Sequence, residues 1–500
     1  MGFSKPLLLQ PLKRVGISLL PTFIQPLLDP SQQSCLGKIS PTSYLDGLRG
    51  IAALFVYIYH VEGKYLPTIL PAYGLPLSQD QTPYPSSPLQ LPGIRLIFSG
   101  HPMVHIFFVI SGYALSLKSL KQLRANEHAA VLSTVSSALF RRAMRLFLPV
   151  LGSTFIGQIL LWIDLRPGGS TTFAAQMGVW WTELKQILDF WWPDQRVLIH
   201  PDPHLWTIPI EMANSVILFA VLIALSRCKV QVRMALVAAI ILVAMRAGQW
   251  VVSEFLMGMW LAELGLIQQG WETQSSWSET HQVNTDGEDE VLLREEGAED
   301  KEGVLQPGYS PRQQTRFRQL KQLRRIVNIT LKVVCTLSLI PTIWLAGWPQ
   351  DYAEQDPGFN WIIRHTGSAY NMQANRIWLP WFGLVAFFII FACQQLKFLQ
   401  AIFTTPAVRY LGKISYSMYL IHWSVLESMA PRLFPPVLRW ATGLSGGNIG
   451  GWGVTLVFLL TLAFITPVLI WVADLFCVFI DDNSVAFAKW VEGKCKREDL

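Results

Sequence analysis

The sequence predicts an all-α, polytopic integral membrane protein of about ten transmembrane helices, and three observations lead there. Of 500 residues, 51% are hydrophobic and 12% aromatic, with 20 Trp and a mean hydropathy of +0.33, which is more apolar than a soluble core requires. The apolar residues gather in runs of about 18 or more, long enough to cross a hydrocarbon layer. Lys and Arg then concentrate in alternate connecting segments, giving the runs a consistent direction.

The predicted spans lie at about 47–66, 103–121, 146–164, 205–226, 233–247, 249–268, 326–348, 377–396, 413–430 and 452–478. The fifth is short and nearly continuous with the sixth, so nine or eleven spans stay open. Lys5, Lys13, Arg14, Lys38, Arg49, Lys118, Lys121, Arg124, Arg141, Arg142, Arg145, Arg227, Lys229, Arg233, Lys397, Arg409, Lys413, Lys489, Lys494, Lys496 and Arg497 fall on one side, about twice as many basic residues as on the other. That side is the inner one, and both termini are expected in the cytosol. Residues 1–43 read as a cytosolic N-terminal segment and not a cleaved leader; Pro6 stands where a myristoylation signal wants Ser or Thr. Residues 44–268 carry helices 1–6 and 326–480 helices 7–10. Between them, 269–325 turns from acidic (Asp286 to Asp300) to basic (Arg312 to Arg325), the pattern of a disordered cytosolic loop. Residues 481–500 form a cytosolic tail, whose end, Arg497 to Leu500, lies on the wrong side for luminal retrieval.

The net charge of +6 is spread beside apolar runs, which argues against nucleic acid as a partner. Six scattered cysteines, at 35, 228, 335, 393, 477 and 495, argue against a disulfide framework or structural zinc. Paired tryptophans, Trp180-Trp181 and Trp191-Trp192, mark either the membrane interface or a substrate entrance.

The residues able to do chemistry sit at defined depths. Asp46-Gly47-Leu48-Arg49-Gly50 opens the first span, and His60 follows Arg49 by eleven positions, returning to the same helix face about 16 Å further along, near mid-bilayer. An ionisable group there is costly, so His60 is either packed against a neighbouring helix or functional. Phe107-Phe108-Val109-Ile110-Ser111-Gly112-Tyr113 combines a close-packing Ser-Gly with an aromatic wall. His101, His105, His200 and His204 lie on the outer side, a polar vestibule rather than a zinc site, since Pro201 and Pro203 break the second pair. Arg141, Arg142 and Arg145 lead into the third span; they suit either positive-inside anchoring or phosphate binding. Leu205-Trp206-Thr207-Ile208-Pro209-Ile210-Glu211 opens the fourth and places a carboxylate inside the membrane, as a functional group or the partner of a cation. Ser415, Tyr419 and His422 share one face of the ninth span.

These stretches, with Phe255-Leu256-Met257-Gly258-Met259 and Gly412-Lys413-Ile414-Ser415-Tyr416-Ser417-Met418-Tyr419-Leu420-Ile421-His422-Trp423, resemble in content and order the motifs of the acyltransferase 3 family, membrane enzymes that O-acylate hydroxyls. The likeness covers about 44–425 and is nearest to fungal members; the long insert, Thr207 for Ser and Tyr113 for Phe depart from the pattern. It implies transfer of an acetyl or other short acyl group from acetyl-CoA or another acyl-CoA, a co-substrate, with no permanently bound cofactor and no metal. His60 would be the base, Glu211 would orient it or the acceptor, and Arg49, Arg141, Arg142 and Arg145 would hold the donor. Ser111, Tyr113, Trp206, Tyr419 and His422 would line the pocket, with His422 either a second base or a structural partner. The acceptor would be a hydroxyl of a small hydrophobic metabolite, terpenoid or polyketide in type, or of a cell-surface glycan or glycolipid. The bilayer would be that of the endoplasmic reticulum or the plasma membrane. The competing reading is a transporter or flippase, against which stands the absence of repeated halves.

Overall fold

Each of the ten predicted spans coincides with a helix in the computed structural model, which describes residues 20–28, 36–66, 69–74, 87–170, 172–191, 199–270, 311–371, 376–442 and 451–495. The helices are α1 (Ser43–Tyr65), α2 (Gly100–Arg124), α3 (His128–Trp162), α4 (Phe173–Leu188), α5 (Thr207–Ala224), α6 (Val230–Arg246), α7 (Trp250–Gly270) and α8 (Pro311–Ala346). They continue with α9 (Pro357–His365), α10 (Leu379–Gln395), α11 (Lys397–Phe403), α12 (Pro406–Thr442), α13 (Gly451–Phe476) and α14 (Asp482–Cys495). Shorter helical turns are left unnumbered. Among the described residues there is no strand, only an isolated bridge between Pro71 and Asp351. Most of the predicted charged loop, together with Gly2, Pro6, Trp192 and the last four residues, lies outside the described residues.

Among the described residues, six helices are long and apolar enough to cross a membrane, α2, α3, α5, α7, α8 and the α13–α14 rod; counting α10 and α11, bent by 102° at Leu396, makes seven. The protein is therefore multi-pass, while length and composition alone do not reach ten. The physical reasons differ. With 17 residues each, α6 and α10 rise about 25 Å, short of the roughly 30 Å hydrocarbon layer. Within its 23 residues α1 carries Asp46, Arg49, Glu62 and Lys64, and α12 is diluted by Ser, Tyr and His. The fifth and sixth spans are separate helices, joined at Gly248, whose φ of +74° reverses the chain.

Two predicted boundaries move. Instead of starting near 146, α3 starts at His128, because the less apolar stretch below it is still helical and buries Val131 and Val135. The boundary at 480 falls inside one helix: α13 passes through a π-helical turn, Cys477–Asp481, into α14, so most of the expected tail is ordered helix.

The pair α1 and α12 packs most extensively. Contacts low and high on both show that they run parallel, so we call the end where they start the lower end. A Cβ at Gly50 would overlap the backbone of Leu411 and Gly412, and one at Gly412 the carbonyl of Asp46. The α2–α7 pair repeats the device, with Gly112 against Phe255 and Gly258 against Val109. Side chains elsewhere on these faces fill the core, among them Ala52, Ala53, Val56 and Met418.

Gly50→Val therefore separates α1 from α12. It should lower stability by at least the roughly 1–3 kcal/mol that overpacking costs, read as thermal unfolding in detergent. Gly63→Ala, with nothing within 4 Å of its Cβ, is the control and should melt with the parent protein.

Candidate active site

His60 lies five residues before the end of α1, about 8 Å below its upper end and so nearer the upper face than the mid-bilayer position expected. Its ring stacks on His422 of α12, centroids 5.3 Å apart and planes at 19°, and meets Tyr59 and Trp423 edge-on, each at 5.1 Å. It is half-buried and makes no hydrogen bond to another described residue. Neither ring nitrogen is tied to another described side chain or carbonyl.

The surrounding groups are buried and bonded. His422 donates from Nδ1 to the Tyr419 carbonyl at 2.6 Å, and His204, on the turn before α5, donates from Nε2 to the Leu420 carbonyl at 3.3 Å. A carbonyl can only accept, so it selects the tautomer; His422 Nε2 and His204 Nδ1 are left as basic nitrogens without a hydrogen-bond partner. The two rings stand 4.6 Å apart. Beneath them the Tyr419 hydroxyl accepts from Thr207 at 2.7 Å and donates to the His204 carbonyl, with Phe107 against its ring. Trp206 packs 6.4 Å from Trp250. Of the expected pocket residues, Tyr419 and His422 therefore gather beside or below His60, while Trp206 packs on Trp250.

Glu211 does not reach the imidazole. One turn below Thr207, it accepts from the Ser111 hydroxyl at 2.8 Å and pairs with Arg142 at 2.5 Å; Arg142 also donates to Ser215 at 3.2 Å. Arg142, fourteen residues into α3, stands half-buried within the bundle opposite α5. A guanidinium and a carboxylate at that depth neutralise each other. The other expected donor-binding arginines have other surroundings. Arg49 donates to Ser415 at 3.0 Å and sits 3.3 Å from Asp46, so Arg49 and His60 do face the same partner helix. Arg141 pairs with Glu492 of α14 at 3.1 Å. Arg145 is exposed and has no ion pair to another described residue. Tyr113 lies beside Tyr44 in the first turn of α1, away from the histidines.

The four vestibule histidines disperse. His101 is bonded to the Tyr59 hydroxyl at 2.9 Å, His105 to Glu254 at 2.5 Å, His204 faces His422 and His200 is exposed. No group of three or more metal-ligating side chains assembles among the described residues. Sequence reasoning missed Glu254, which is fully buried; the signal was present, a carboxylate inside the apolar run from Val251 to Met259. It also missed Thr207 and Tyr419 as a bonded pair, which no spacing announces.

Comparison with known proteins adds an independent line. The family model described as an acyltransferase domain matches residues 42–473. An O-acetyltransferase of Phomopsis amygdali, PaAT-1, is 26% identical over 485 residues, covering 92% of this chain and 86% of that protein. An acyltransferase of Phoma sp. is 23% identical over 456 residues, 81% of this chain and 86% of its own. A third, from Cochliobolus lunatus, is 22% identical over 446 residues, 79% and 84%. No solved structure matches the chain.

The Arg142–Glu211 pair makes a prediction about stability. Arg142→Ala and Glu211→Ala each strand a partner inside the membrane and should cost roughly 1–3 kcal/mol, whereas the double variant should unfold at a higher temperature than either single one. Additive losses would mean that the two charges do not neutralise each other.

Proposed function

The chain belongs to the acyltransferase 3 family, and from that premise we propose a membrane-embedded O-acyltransferase that moves an acetyl or other short acyl group from acyl-CoA to a hydroxyl. The acceptor is a small hydrophobic metabolite of terpenoid or polyketide type, or a cell-surface glycan or glycolipid. One observation carries the reading above family membership: an unbonded, half-buried imidazole, His60, surrounded by His422, Trp423 and Tyr59, three turns above an arginine on the same face of α1. The O-acetyltransferase of Phomopsis amygdali supports acetyl as the group moved.

In this reading the lower end faces the cytosol, both termini with it, in the endoplasmic reticulum or the plasma membrane. Acyl-CoA enters from below, its phosphates meeting the exposed Arg145 and the partly exposed Arg49. Arg141 can join them by exchanging Glu492 for a phosphate. The donor's narrow arm rises past Tyr416, whose hydroxyl is held by the Leu146 carbonyl at 2.7 Å, and past the Ser111–Glu211–Arg142 cluster. That cluster is a neutral, fixed wall, a revision of Glu211's role from orienting the base to shaping the path. At the top, His60 takes the proton of the acceptor hydroxyl while its oxygen attacks the thioester carbonyl. The carbon–sulfur bond then breaks and the imidazolium returns the proton to the leaving thiolate. The acyl group has moved from sulfur to oxygen and one proton the other way, so the protein ends unchanged.

A general base contributes typically 10²–10⁴-fold, so His60→Ala should abolish detectable consumption of labelled acetyl-CoA by purified protein while expression persists; normal turnover would end the assignment. Arg145→Ala should raise the acyl-CoA KM with kcat little changed, and an unaltered KM would return that arginine to topology alone.

A further inference from the structure

Above the histidines lies a buried polar network for which acyl transfer, as described, has no use. Arg166, Glu183 and Asp202 are 2%, 1% and 3% exposed. They come from the segment after α3, from α4 and from the turn before α5. The Arg166 guanidinium sits 3.2 Å from Asp202, donates to the Pro201 carbonyl at 3.3 Å and, from its other arm, to Ser424 of α12 at 3.2 Å. Gln158 of α3 donates to Glu183 at 2.7 Å and is itself bonded to Gln176 of α4. Gly157 leaves the room: a Cβ there would come within 2.9 Å of Arg166, and close to Ser424 and Asp202 as well.

The charges in this network do not balance unless a proton is present. One guanidinium faces two carboxyl groups, and Glu183 Oε1 and Asp202 Oδ1 each lack a hydrogen-bond donor, although the two groups lie within hydrogen-bonding reach of each other. A single proton between them supplies the missing donor and removes the surplus charge. Arg166 holds the negative charge on Asp202. Burial, with the Asp202 charge beside it, pushes Glu183 up to about 9, so Glu183 carries the proton at neutral pH. The groups facing the pair are Gln158 from α3, Gln176 from α4, Ser424 from α12, and Arg166 and His200 from the loop.

What the network joins gives it meaning. Asp202 is two residues before His204, and Ser424 is two residues after His422, so Arg166 ties together the two segments that bear the upper imidazoles. We propose that Arg166 and the Asp202–Glu183 pair are positioning residues for acyl transfer, pinning the turn before α5 to α12 and so setting His204 and His422 against His60. The proposal rests on the acyltransferase reading. It makes the upper wall of the site depend on a retained proton. Unfolded, Glu183 ionises near 4.3. Its contribution to stability is therefore complete below that pH and is lost as pH rises through about 9, where a second negative charge pushes the turn off α12.

The test uses the full chain in nanodiscs with acetyl-CoA as the probe. Hydrogen–deuterium exchange over 199–206 and acetyl-CoA consumption are both followed from pH 7 to 10. Arg166→Gln should lower kcat roughly 10–100-fold, the scale of a small misplacement of catalytic groups, while the acetyl-CoA KM stays within about twofold because the donor enters at the other end. The parent protein should lose turnover and protection together near pH 9. Glu183→Gln, neutral at every pH, should keep turnover at pH 7 and abolish that alkaline transition; Glu183→Ala should not. An alkaline transition that persists in Glu183→Gln, or an unchanged kcat in Arg166→Gln, overturns the proposal. If the parent and His60→Ala alike consume no acetyl-CoA, it is the acyltransferase reading that fails, and exchange over 199–206 still decides whether the pair pins the turn.

Discussion

The arrangement depends on one close contact, the lower crossing of α1 and α12, where Gly50 and Gly412 let two helix backbones touch. Helices that approach so closely have their register set by shape, since any side chain at the crossing would hold them apart. From that point two parallel helices climb together. Arg49 meets Ser415 near the bottom and His60 meets His422 near the top. The site is thus a consequence of packing: the same contact that stabilises the pair determines which imidazole faces which.

Electrostatics then sets His60 apart from the other buried ionisable groups. Inside a low-dielectric bundle an ionisable side chain is tolerated when paired, and several here are. Arg142 holds Glu211, His105 holds Glu254, and Arg233 holds Glu263 at 2.8 Å. His204 and His422 have one nitrogen each tied to a backbone carbonyl. His60 is the ring in this cluster that neither pairs nor bonds. A structural histidine would use its nitrogens, and this one keeps them available and partly exposed.

The site is also polarised along the membrane normal. The partly exposed Arg49 sits at the lower end, a neutralised cluster joins Arg142 and Glu211, and the histidines lie near the top beneath the Arg166 network. In the proposed reaction donor and acceptor approach from opposite ends, which separates an anionic carrier below from a hydroxyl above. Arg142 lies within reach of a carboxylate and is occupied by it.

Much of this was legible before any tertiary structure, because it is encoded locally. Apolar run length determined the membrane class, helical periodicity put Arg49 and His60 on one face, and the motif order around His60, Ser111, Glu211 and His422 indicated the reaction class. Helix periodicity cannot say how high a span sits or where a helix begins below it. The start of α3 lies eighteen residues before the expected one, and Arg142 on that helix is the partner of Glu211, 69 positions away. The pairing of His105 with Glu254, separated by 149 positions, and the bond from Arg166 to Ser424, separated by 258, are of the same kind. Sequence determines which groups are costly to bury; only the packing of helices distant in the chain decides which of them neutralise each other, because a charge interacts with whatever lies within a few ångströms.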